Sequence, residues 1–139
     1  MLLDEFVEGT DYALEGIRIT REDIDAYARR YDPLPFHVDE EAAKRSRFGG
    51  IIAPGTLSFI SVWAQWLRTG LYDDCIAGLS ATVNWTLPVY PGDVLEGRVV
   101  VEKVLPRQED RGILVLCVHA YNQDGQGVLN ARVTAMMKR

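Results

Sequence analysis

The stretch Thr56-Leu57-Ser58-Phe59-Ile60-Ser61-Val62-Trp63-Ala64-Gln65-Trp66-Leu67-Arg68 decides how the rest of the chain must be arranged. It carries no Gly or Pro and is apolar nearly all round, so it predicts a helix enclosed on most of its sides. Its exceptions, Ser58, Ser61, Gln65 and Arg68, fall on one narrow stripe. Such a stripe is expected either to bond backbone or to face something polar. The uncharged run from Phe48 to Leu67 is long enough to span a bilayer. Gly49-Gly50, Pro54-Gly55, the serines and Gln65 make lipid a poor host, and a helix buried inside a soluble fold is expected instead.

Upstream, residues 10–19 read as a strand with an irregularity at Gly16. Thr20-Arg21-Glu22-Asp23 reads as a helix start, followed by Ile24, Tyr27, Ala28 and Tyr31 on one face. Pro33 and Pro35 end it, and Asp39 to Ser46 predicts a second short helix with acids first and bases last. Downstream the period changes to two. Leu79 to Val89 alternates as a half-buried strand, Pro91-Gly92-Asp93 turns, and 94–105, 113–121 and 128–137 follow as strands. Short connections then imply an α+β architecture: an antiparallel sheet of about five strands wrapped round one long apolar helix, in a single domain over 1–139.

Composition narrows the function. With 47% hydrophobic and 25% charged residues, 139 residues can build one ordinary core. A net charge of −5 argues against a general nucleic-acid binder, which needs a basic surface. Cys75 and Cys117 are the only cysteines and have no paired spacing, so no disulfide framework or zinc ribbon is expected. Met1-Leu2-Leu3-Asp4-Glu5 is acidic where a secretion signal is basic. A reducing, cytoplasmic setting with no membrane partner is expected.

Of the two histidines, His119 lies among apolar strand residues and reads as core or interface. His37 follows Asp32 by five residues in Asp32-Pro33-Leu34-Pro35-Phe36-His37, a segment stiffened by two prolines. A carboxylate beside an imidazole can hold a water from two sides as a general acid–base pair. On spacing alone, an Asp–His contact that merely caps a helix fits equally well. Gly55, at the start of the apolar helix, would let a ligand reach free amide hydrogens suited to a developing oxyanion. Lys44, Arg45 and Arg47 form the densest basic group, read either as a solvated helix end or as a phosphate contact.

Three motifs resemble the MaoC-like dehydratases, the group that includes the (R)-specific enoyl-CoA hydratases. They are Asp32-Pro33-Leu34-Pro35-Phe36-His37 with Val38 to Ala43, Phe48-Gly49-Gly50-Ile51-Ile52-Ala53-Pro54-Gly55, and Val83 to Asp93. The resemblance implies a hotdog fold, with Asp32 and His37 as the catalytic pair and the Gly55 amide at the thioester carbonyl. It implies reversible addition of water across the 2,3 double bond of an enoyl-CoA, giving a 3-hydroxyacyl-CoA. No metal or redox cofactor is expected; coenzyme A enters only as part of the substrate. Ser58 and Ser61 are expected to face the acyl pocket, and Lys44, Arg45 and Arg47 to meet the coenzyme. Open sheet edges imply a homodimer at least. Where the hydratases most often carry Asn, three residues before the histidine, this chain has Leu34. Leu34 keeps a non-catalytic acyl-binding subunit as an alternative, and a hotdog acyl-CoA thioesterase, which would use a carboxylate from another part of the chain, is a second.

Overall fold

The computed structural model describes all residues, Met1 to Arg139. After a single 3-10 turn at Leu3–Glu5 come β1 (Asp11–Ala13), β2 (Ile17–Arg18), α1 (Arg21–Tyr31), α2 (Pro35–Val38), α3 (Glu40–Arg45) and α4 (Gly55–Leu67). Four long strands complete the chain: β3 (Cys75–Trp85), β4 (Val94–Pro106), β5 (Arg111–Tyr121) and β6 (Gly127–Lys138). No helix is long and apolar enough to cross a membrane.

The helix starts are set locally. Thr20 Oγ1 accepts from the Asp23 amide at 3.1 Å, and Asp39 accepts from the Glu41 and Ala42 amides, each satisfying first-turn donors. One element differs from the sequence expectation. The segment between α1 and α3 is not a loop throughout, because Pro35, its φ already helical, opens the one-turn helix α2 that carries His37.

The sheet is antiparallel in the order β1-β4-β5-β6-β3, with β2 also on β4. It has six strands rather than about five, since residues 10–19 break at Gly16 into two short pieces on β4. The expected strand Leu79–Val89 begins earlier, at Cys75, and ends at Trp85. Nor do β3 and β4 form a hairpin. Residues 86–93 carry the chain across to β4, and β3 pairs with β6 at the opposite edge. This edge strand is exposed along nearly its whole length, where its alternation predicts a half-buried one.

α4 packs on the face formed by Leu95, Val99, Leu116, Val118 and Ala120, and Val62 and Trp66 are completely enclosed. Its all-round apolarity is nevertheless only partly covered: Ile60 and Leu67 remain 44% and 43% exposed. Gln65 Nε2 donates to the Glu15 and Gly16 carbonyls at 3.2 and 3.3 Å, pinning the helix to the break between β1 and β2. On the other face of the sheet Arg132 forks onto Glu102 and holds its carboxyl below the ordinary range. Burial, helped by Glu102, pushes the neighbouring Cys117 thiol up. Both cysteines are free.

The helix reaches the sheet at Gly97. A Cβ there would lie 2.6 Å from Val62 Cγ1 and 3.0 Å from Leu14 Cδ1. Gly97→Ala should therefore lower unfolding stability by about 1–3 kcal/mol, measured by urea denaturation, because the helix must lift to admit the methyl.

Candidate active site

α1 ends at Asp32, whose amide still donates to the Ala28 carbonyl while its backbone leaves the helical region. Pro33 and Leu34 bridge to α2, and the turn places His37 in the interior, 4% exposed. His37 Nδ1 lies 2.6 Å from the Ile52 carbonyl oxygen. A carbonyl can only accept, so Nδ1 carries the proton, and the neutral ring has its lone pair on Nε2. That nitrogen faces Asp32 Oδ2 at 3.5 Å. The separation is long for a direct hydrogen bond and leaves both groups free to hold one oxygen between them.

The partner carbonyl belongs to a segment that is itself pinned. Ile52 N donates to Phe36 O, Ala53 N to Val89 O, and Tyr90 Oη to Phe48 O. Pro54 then caps α4, and its first amides, on Gly55 and Thr56, have no acceptor within the chain. Tyr27 Oη donates to Thr56 Oγ1 at 2.8 Å, which ties α1, and with it Asp32, to the start of α4.

These elements enclose a cavity of about 480 Å³. Asp32, His37, Gly55 and Ser58 all line it, and Phe36, Phe48, Ile52, Leu87, Pro88 and Val89 supply apolar wall. A pair able to move a proton and a helix N-terminus able to receive negative charge thus meet over one apolar pocket. Such an arrangement can exchange a proton with a bound molecule while negative charge gathers on a neighbouring oxygen.

The other residues singled out in the sequence lie elsewhere. Ser61 Oγ donates to Leu57 O at 2.7 Å, within its own helix, and does not line the cavity. The polar stripe of α4 is thereby split among three tasks, since Gln65 holds the β1–β2 connection and accepts from Arg68. Lys44 is exposed beside Glu41, and Arg45 and Arg47 are exposed without an ion pair. None of the three lines the cavity, although Arg47 precedes Phe48, which does. Leu34 is 47% exposed and also outside the wall.

Similarity to known proteins gives the family and the fold. Residues 6–116 match the family described as MaoC like domain. The chain belongs to that family. Among curated relatives, an uncharacterized protein, YdeM, of Bacillus subtilis (strain 168) is 36% identical over 141 residues and covers 100% of both chains. Among solved structures, a MaoC-like dehydratase from Rhodospirillum rubrum superposes with a TM-score of 0.90 at 28% identity, covering 100% of this chain and 97% of that one. An (R)-hydratase from A. caviae involved in PHA biosynthesis shares the fold at a TM-score of 0.78 and 24% identity, covering 94% and 96%. The hotdog architecture of this MaoC-like protein is thus shared with dehydratases.

Two site features were not legible in the sequence. The Ile52 carbonyl has no sequence signal, since every residue carries one. Trp85 reads in the sequence equally as core or as a side chain that narrows an acyl tunnel, with nothing to bring it to Gly55, yet its indole lies over that residue: a Cβ on Gly55 would sit 2.6 Å from Trp85 Nε1. Gly55→Ala should displace the indole, changing tryptophan emission in the parent background but not in one that also carries Trp85→Phe. Separately, nitrogen NMR of His37 at a pH where it is neutral should find the proton on Nδ1, opposite to the preference of free imidazole side chains in water.

Proposed function

We propose that this MaoC-like protein is a hydratase/dehydratase that adds water reversibly across the 2,3 double bond of an enoyl-CoA thioester to give the 3-hydroxyacyl-CoA. The observation that carries the reading is the Asp32–His37 pair facing a common cavity with the free N-terminus of α4. Asp32 and the unprotonated Nε2 of His37 hold one water. The pair takes one proton from that water as the oxygen bonds to C3, and passes the same proton on to C2, so that both hydrogens of the water end in the product. The electron pair displaced from the double bond passes through the enolate, whose oxygen meets the Gly55 amide and the positive end of α4. Elimination runs the same steps backward. No metal or redox cofactor takes part, and coenzyme A is carried by the substrate. We assign exposed Lys44, Arg45 and Arg47 to its phosphates; Arg47 directly precedes Phe48, which lines the cavity.

We infer further that the protein works as a homodimer or higher homo-oligomer. The outer edge of β3 is unpaired, and Ile76, Leu79 and Trp85 on it are each about half exposed. Beside it, Phe59, Trp63, Leu67, Tyr72 and Leu79 line an apolar groove between α4 and β3. A second copy joined along this edge would cover both, and light scattering should return a mass above 15.6 kDa at micromolar concentration.

Asp32→Asn keeps the carboxylate's shape and removes its capacity as a base. Hydration of a competent enoyl-CoA, followed by loss of the conjugated thioester absorbance, should fall by about 10²–10⁴-fold with little change in melting temperature. His37→Gln should lose a similar amount and the double variant little more, since the two act as one unit. Product analysis separates the alternatives: release of free thiol would mark a thioesterase, and binding without turnover an acyl-binding subunit. Near-parent rates in both single variants would remove the pair from the mechanism.

A further inference from the structure

Ser58 is 1% exposed, and its Oγ has no hydrogen-bond partner. A buried hydroxyl left without a partner is destabilising, and helices ordinarily avoid it by bonding Ser back to the carbonyl four residues earlier. Ser61 does so, through the Leu57 carbonyl. Ser58 does not: the Pro54 carbonyl it would use accepts only the Ser58 amide, at 3.2 Å. The other buried unpartnered polar atom, Trp66 Nε1, belongs to a residue that lines no cavity described above. Ser58 lines the cavity that holds Asp32, His37 and Gly55.

Position on the helix gives the free hydroxyl a direction. Ser58 stands three residues after Gly55, on the same face, and helical side chains lean toward the N-terminus. Its Oγ therefore leans back over the turn that carries the free Gly55 amide. Two residues that line the cavity, three apart on one helix face, thus each carry a donor without an acceptor in the chain, one on the backbone and one on a side chain. The Nδ1 of His37 is committed to Ile52 and offers no donor there.

We propose that Ser58 is a second substrate-contacting donor, its hydroxyl and the Gly55 amide together binding the thioester oxygen and stabilising the charge that gathers on it. This rests on the thioester reading above. It does not depend on whether the bound thioester is hydrated, hydrolysed or only held. The hydroxyl is kept at a cost in stability because its partner arrives with the substrate.

The test uses Ser58→Ala and a saturated probe, butanoyl-CoA, which cannot be hydrated. In the parent, the carbonyl stretch of bound butanoyl-CoA should lie below its value in water, and in the variant part of that downshift should disappear. With an enoyl-CoA the variant's kcat should fall about 10²-fold while KM changes by less than about threefold. Its melting temperature should be equal to or above the parent's. Equal carbonyl frequencies in parent and variant, or a parent that does not bind butanoyl-CoA, would overturn the assignment, as would a variant that melts lower and turns over normally. A parent that shows the Ser58-dependent downshift yet hydrates no enoyl-CoA would remove the hydratase reading and leave this one standing.

Discussion

The contact of Val62 with Gly97 sets the distance between α4 and the sheet, and most of the molecule takes its position from that distance. With no side chain on Gly97, the helix settles directly onto β4, and Val62 and Trp66 are sealed beneath it. Full burial of a side chain such as Val62 is worth about 1.5–3 kcal/mol, so a helix held away from the sheet would forfeit several such terms at once. Leu14 reaches the same spot from beyond β1, and Gln65 clamps the neighbouring break between β1 and β2. The helix is thus fixed along its length before its first turn meets the cavity. Gly55 and Ser58 inherit their placement from a packing contact about two turns and one turn away, respectively.

Around that fixed helix the cavity is assembled from segments that each satisfy their own backbone. The Phe48–Pro54 segment donates and accepts at Phe36, Val89 and Tyr90, leaving Ile52 O for His37. The Tyr27–Thr56 bond couples α1 to α4. Facing the cavity, what stays unpaired is Nε2 of His37, the first amides of α4 and the Ser58 hydroxyl. A polar set held rigid from behind and left free in front suits it to charge that develops during a reaction, because little reorganisation is required when that charge appears.

The edge strand joins the site to the exposed apolar surface. Trp85 closes β3 and lies against Gly55, so the wall of the cavity and the unpaired edge of the sheet share one residue. Pairing along that edge would therefore bear on the site as well as on stability. The half-exposed Leu67 of α4 lines the apolar groove beside the same edge.

The elements themselves were legible wherever a local signal governs them. Thr20 and Asp39 cap helices because their side chains reach their own first turns, and the period-two pattern of β6 follows from one covered face. The Asp32/His37 spacing was legible as a candidate pair, since five residues and two prolines restrict how far apart the groups can lie. The pairing of β3 with β6 instead of β4 was not legible, nor was its exposure, because alternation records which residues are apolar and not which strand or neighbouring chain lies beside them. The tautomer of His37 depends on a carbonyl fifteen residues away, and the difference between Ser58 and Ser61 depends on a cavity built from four elements. The sequence by itself determined helices, strands and the chemical groups on offer, through contacts within a few residues. Only the tertiary structure decided which of those groups stay unpaired and face one another, because hydrogen-bond satisfaction in the interior is settled across the whole fold.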